Sequence, residues 1–88
     1  MAEAQIEIIN KAGLHARAAS KLADLCGTYG CDIRIGQEKM VDGKSVLSLM
    51  MLAAVRGTNL KVVTEGPNAD KALRAILTLI NNRFDEAE

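Results

Sequence analysis

Four short stretches of this chain alternate apolar and polar residues, and that alternation limits its possible folds more than any other feature. One row of side chains in each stretch suits a core and the other suits water, as in a β-strand buried on one side only. Over residues 4–9, Ile6 and Ile8 oppose Gln5 and Glu7. Cys31, Ile33 and Ile35 oppose Asp32 and Arg34 before Gly36, and over residues 60–65 Leu60, Val62 and Thr64 oppose Lys61 and Glu65, with Val63 an apolar residue on the wet row. A shorter stretch, Lys39–Val41, pairs back on the second strand after a turn near residues 36–38, and Asp42-Gly43 turns the chain again. Half-buried strands of this kind belong to an antiparallel sheet covered on one face.

Three segments with a helical period lie between and after these strands. In Ala16–Cys26 the residues Ala19, Leu22, Ala23 and Cys26 form one stripe, and Gly27 and Gly30 end it. Ser45 is placed to cap a second helix over Val46–Ala54. Asn68, after the break at Gly66-Pro67, is placed to cap a third, whose Ala69, Ala72, Leu73, Ile76 and Ile80 keep the period. The acidic tail from Asp85 to Glu88 is expected to fray. The order strand, helix, strand, strand, helix, strand, helix makes the fold class α+β, an open-faced sandwich with helices on one face of the sheet. Periodicity does not choose between a ferredoxin-like strand order and other sandwiches. Residues 1–88 suffice for a single domain with one core, burying about 60–65% of the unfolded surface.

Composition removes several function classes. Hydrophobic residues are 49% of the chain and aromatics 2%, so the core is aliphatic and little is left to stack on bases. Eleven basic and eleven acidic residues cancel, and the long-range attraction that nucleic acids or anionic membranes exploit is missing. The apolar run 49–55 is far short of the ~20 residues that span a bilayer. Met1–Gln5 runs into the first strand without a signal-peptide pattern, and a cytoplasmic location is the expectation. Cys26 and Cys31 lack metal-ligand spacing and companions, and they read as small buried apolar residues. The second helix is apolar almost all round, so part of it must face water, where methionines suit partners of differing shape.

His15, the only histidine, stands immediately before the first helix, after the loop Asn10–Leu14. A helix N-terminus offers unpaired N–H groups and about half a positive charge, an anion-binding environment. The plain alternative is an exposed loop histidine.

Gly13-Leu14-His15-Ala16-Arg17 resembles the active-site motif of the HPr family of histidine-containing phosphocarriers, which includes the nitrogen-branch NPr. In that family a serine opens a second, apolar helix, as Gly43-Lys44-Ser45-Val46 does here, and the resemblance covers the whole chain. Ala18 stands where many members have proline; alanine keeps the helix and leaves one more N–H free. The resemblance implies a four-stranded antiparallel sheet in the order 1-4-2-3 covered by three helices. It implies phosphorylation of His15 on Nδ1 by enzyme I and transfer to an enzyme IIA, by a monomer that needs no cofactor and no metal. Ile9-Asn10-Lys11 and the ending Asn82–Glu86 look more like NPr than the sugar-transport HPr, which favours a nitrogen-type enzyme IIA. In Gram-positive members the serine that opens the second helix is a regulatory phosphorylation site, matched by Ser45, although a cap needs the same hydroxyl.

The chemistry of the residues fits that implication. An imidazole with an ordinary pKa of about 6.5 is substantially neutral near neutral pH and presents a lone pair without an activating base. A phosphohistidine would meet the N–H groups of Ala16 and Arg17 and the Arg17 guanidinium. Arg17 would also steady the charge that spreads over the phosphoryl oxygens during transfer. Leu14, Ser20, Val46, Leu47 and Met50 are the candidates for docking a partner. Two readings from other classes compete: a small acyl-phosphate hydrolase, which turns over without a stable phosphoprotein, and an interaction module in which His15 is incidental.

Overall fold

A computed structural model describes residues 1–86 of the chain. The alternating stretches form β1 (Ala2–Glu7), β2 (Asp32–Gly36), β3 (Met40–Asp42) and β4 (Asn59–Glu65). They pair entirely antiparallel in the order β1-β4-β2-β3. Register follows the buried rows, with Ile6 opposite Leu60, and Ile33 and Ile35 opposite Thr64 and Val62. A slip of one residue would turn every one of these side chains to water, so burial fixes the pairing. The polar row, including Gln5, Glu7, Arg34 and Lys61, faces solvent.

Helices α1 (Ala16–Gly27), α2 (Val46–Met51) and α3 (Ala69–Asn81) cover the other face. The stripe of α1 is buried as expected, with Ala18 added to Ala19, Leu22, Ala23 and Cys26. Ala72, Ile76 and Ile80 of α3 close the core over the sheet. Full burial of an Ile or Leu is worth about 1.5–3 kcal/mol, so these rows supply most of the driving force. Cys26 and Cys31 are buried and free, and burial pushes the Cys26 thiol up to about 12. Among the described residues no helix is long and apolar enough to cross a membrane.

Three expectations need correction. The second helix stops at Met51 instead of reaching Ala54: Ala53 takes a left-handed φ of +50°, which turns the Ala54 carbonyl toward Leu14 N–H at 2.8 Å. Asn68 precedes α3 but does not cap it with its side chain; it lies in the left-handed region (φ +61°), which turns the chain from Gly66-Pro67 into the helix. Its carbonyl accepts from Ala72 N–H, and the buried Thr64 hydroxyl donates to the Ala69 carbonyl. The tail is not frayed at Asp85 and Glu86, which leave a single 3-10 turn over Arg83–Asp85. Phe84 anchors that turn in the core, fully buried. Ala87 and Glu88, the rest of the expected frayed tail, lie outside the described residues.

Candidate functional site

Gly13 shapes the loop between β1 and α1. Its φ is +69°, and a Cβ there would stand 2.5 Å from the Ala54 carbonyl oxygen, so both backbone and space demand glycine. The segment leaving α2 therefore backs the loop, and Val55 comes with it, its Cα only 3.0 Å from that Cβ position.

His15 takes the N-cap position of α1 with an extended backbone (φ −82°, ψ −178°), and its carbonyl accepts the first helical bond from Ala19 at 2.8 Å. Its side chain makes no capping bond. The N–H groups of Ala16 and Arg17 thus have neither an intrahelical acceptor nor a side-chain cap, and the helix dipole adds its positive end at the same place. Arg17 is exposed and has no hydrogen-bond or ion-pair partner among the described residues. Ser20, also exposed, lies one turn on along the same face.

The imidazole contacts the C-terminal tail. Nε2 of His15 lies 2.6 Å from Oε2 of Glu86, and Asn10 Nδ2 donates to the second carboxylate oxygen at 3.0 Å. Asn10 also donates to the Gly13 carbonyl at 2.8 Å, so one buried side chain ties loop and tail together. The Asn10 hydrogen bond above all, aided by His15 and Lys21, holds the Glu86 carboxyl below its ordinary value of 4.5, against a smaller opposing effect of burial. An ionised carboxylate can only accept, so Nε2 carries a proton, and in the neutral ring Nδ1 keeps the lone pair.

The tail reaches His15 by an unusual backbone path. Arg83, Phe84 and Asp85 all have left-handed φ values of +56°, +53° and +64°. Each costs about 1–2 kcal/mol in a residue with a Cβ. Burial of Phe84 and the bond from Lys21 Nζ to the Phe84 carbonyl, 2.8 Å, offset part of this.

Asn10 and Glu86 were not among the site residues read from the sequence. They are 76 positions apart, and only the stretches containing them stood out there. Of the docking candidates, Leu14 is buried, 4% exposed, with its backbone drawn in against Ala54. Val46 is half-buried, whereas Leu47 and Met50 are exposed, as are Met51 and Val55, which the sequence reading did not single out. The signal for the last two was the apolar run 49–55, longer than one helix face can bury. Ser45 caps α2, its hydroxyl accepting from Ser48 N–H at 3.2 Å.

A groove of about 860 Å³, lined in part by Gln37, Val41, Ser48, Met51 and Lys61, contains no residue of the motif. His15 instead stands on open surface, its side chain 34% exposed, where a residue of another protein can reach it.

Comparison with known proteins agrees with this geometry. Residues 2–82 match the family model described as the PTS HPr component phosphorylation site. A phosphocarrier protein HPr of Pseudomonas aeruginosa is 57% identical over 86 residues, 96% of either chain. A phosphocarrier protein NPr of Shewanella violacea is 46% identical over 86 residues, covering 97% of this chain and 94% of that one. The crystal structure of HPr-C-His from Thermoanaerobacter tengcongensis superposes with a TM-score of 0.95 at 34% identity, over 100% of both chains.

Proposed function

The chain belongs to the HPr family, the phosphocarrier proteins of the phosphotransferase system, and from that premise we propose that residues 1–88 act as one carrier domain with His15 as the phosphoryl acceptor. Phospho-enzyme I, charged by phosphoenolpyruvate, is the donor, and a nitrogen-type enzyme IIA is the recipient, with a regulatory output. The observation that carries this reading is the placing of His15: Nε2 is occupied by a carboxylate, and the N–H groups of Ala16 and Arg17 in the helix turn that His15 opens have no side-chain cap. Nδ1 is then the nucleophile, and the new phosphoryl group meets those N–H groups and the Arg17 guanidinium. Interactions of this type at an exposed helix end are worth about 0.3–1 kcal/mol, rising to about 2 when sheltered. That modest hold suits a relay, since a deep phosphate trap would stop the next transfer.

Docking falls to Ser20, Val46, Leu47 and Met50, joined by Met51 and Val55. Ser45 serves as the helix cap in this reading, in preference to a phosphorylation site. The carrier works in the cytoplasm as a monomer.

The nitrogen branch is supported by the two NPr-like stretches, which meet at His15 through Asn10 and Glu86. A sugar-transport role is the second reading, favoured by the 57% identity to a protein named HPr. Transfer rates from the charged protein to a nitrogen-type and a sugar-type enzyme IIA separate them. Faster transfer to the nitrogen type is expected, and faster transfer to the sugar type reverses the assignment.

A further inference from the structure

We propose that Glu86, held by Asn10, is a positioning residue that keeps a proton on Nε2 of His15 through both halves of the relay. The ring then attacks as a neutral nucleophile and departs as a neutral leaving group. This rests on the carrier reading above and concerns how the same histidine is tuned.

The tail reaches His15 at a cost. Three consecutive left-handed residues and a buried Asn10 whose Oδ1 finds no partner among the described residues are both unfavourable features. Their combined result is one contact: a carboxylate 2.6 Å from Nε2, with its other oxygen fixed by Asn10. Strained backbone and orphaned polar atoms gather where a geometry is retained for its use.

The use follows from the bonds made and broken. In the first transfer the Nδ1 lone pair forms a bond to phosphorus, and the donor's bond to phosphorus breaks with its electron pair returning to the donor. Nε2 keeps its proton, so the ring becomes a cation bearing the phosphoryl group. Without Glu86 that proton is readily lost to solvent, leaving a neutral ring that would have to depart as an anion. Beside the carboxylate, an unprotonated Nε2 would turn its lone pair on an acceptor-only group, so the proton stays. In the second transfer the acceptor's lone pair bonds to phosphorus, and the electrons of the Nδ1–P bond return to Nδ1. His15 leaves as the same neutral, Nε2–H imidazole, and no proton needs to move in either step.

Other charged groups lie on the elements meeting here. Lys11 is in the motif loop, Arg17 and Lys21 are on α1, Asp85 adjoins Glu86, and Arg56 follows α2. Lys21 approaches Asp85 at 4.0 Å and donates to the Phe84 carbonyl, so it is directed at the tail backbone. Of the described carboxylates, Glu86 is the one bonded to the ring.

The test follows the ring of the phosphorylated protein. Wild type, Glu86→Gln and Glu86→Asp are charged with enzyme I and phosphoenolpyruvate, and ³¹P and ¹⁵N resonances of the phosphohistidine are titrated with pH. Circular dichroism and thermal midpoints control for the fold. An opposite charge in contact shifts such an equilibrium by about 1 unit or more, so the ring of both variants is expected to lose its proton about 1 pH unit lower than wild type. Spontaneous loss of phosphate above that midpoint should slow about tenfold in both variants. Equal midpoints in wild type and variants overturn the proposal while leaving the carrier reading intact. If wild type takes up no phosphate, the carrier reading fails and this proposal falls with it.

Discussion

Arg17 and Glu86 carry opposite charges, one two residues beyond His15 on the helix and the other on its ring, and their removal should have different consequences. Arg17 is exposed and bonded to no described residue, so Arg17→Ala should leave the denaturation midpoint unchanged. Loss of a charge-assisted hydrogen bond to the phosphoryl group, about 1.5–3 kcal/mol, should slow phosphotransfer about 10- to 100-fold. Quench-flow transfer at the wild-type rate would remove Arg17 from the mechanism. Glu86 has a depressed carboxyl pKa in the folded state, so its contribution to stability is present above its ordinary value of 4.5 and is lost as pH falls through the depressed one. Urea denaturation of wild type and Glu86→Gln should show a stability gap near neutral pH that closes in acid below 4.5. A gap that persists unchanged to about pH 2 contradicts that linkage. His15 and Arg17 were legible in the sequence because they sit in one local motif whose chemistry depends only on a helix start. Glu86 was not, because its contact depends on three left-handed residues and a buried Phe84 that no periodicity encodes.

Helix α2 divides its residues between two tasks within one and a half turns. Leu49 is fully buried, whereas Leu47 and Met51 are 70% and 75% exposed. Leu49→Ala should therefore cost about 2–5 kcal/mol of stability. Leu47→Ser should change stability by no more than about 0.5 kcal/mol. If the exposed row docks partners, Leu47→Ser should still raise the concentration of acceptor needed for half-maximal transfer several-fold. Unchanged acceptor dependence in a folded Leu47→Ser protein would relocate the docking surface. The cap at Ser45 and the apolar surplus of this helix were evident from sequence, since both are local properties. Its length was not: Ala53 turns out of the helix and the Ala54 carbonyl comes up against Gly13, a contact between segments far apart in the chain. The same distinction explains Asn68, whose residue type suits a helix start but whose left-handed backbone answers to the turn before it.

The whole molecule brings a loop from early in the chain and a turn from late in it to one place. β1 leads into the motif loop, α2 returns to support that loop from behind, and the last turn after α3 lays Glu86 on His15. Half-buried alternation dictated an antiparallel sheet with one covered face, and the structure has it. The order β1-β4-β2-β3 depends on pairing between distant strands, so it came from family resemblance and not from pattern. In the proposed relay this assembly carries phosphate on His15 and hands it on. The most direct measurement is a single-turnover chase: the protein is charged by enzyme I with labelled phosphoenolpyruvate, freed of the donor, and mixed with an enzyme IIA. One acid-labile, base-stable phosphate per chain is expected, absent from His15→Ala, that moves stoichiometrically to the acceptor. Label that persists in His15→Ala, or that leaves wild type as inorganic phosphate while the acceptor stays unlabelled, would contradict it.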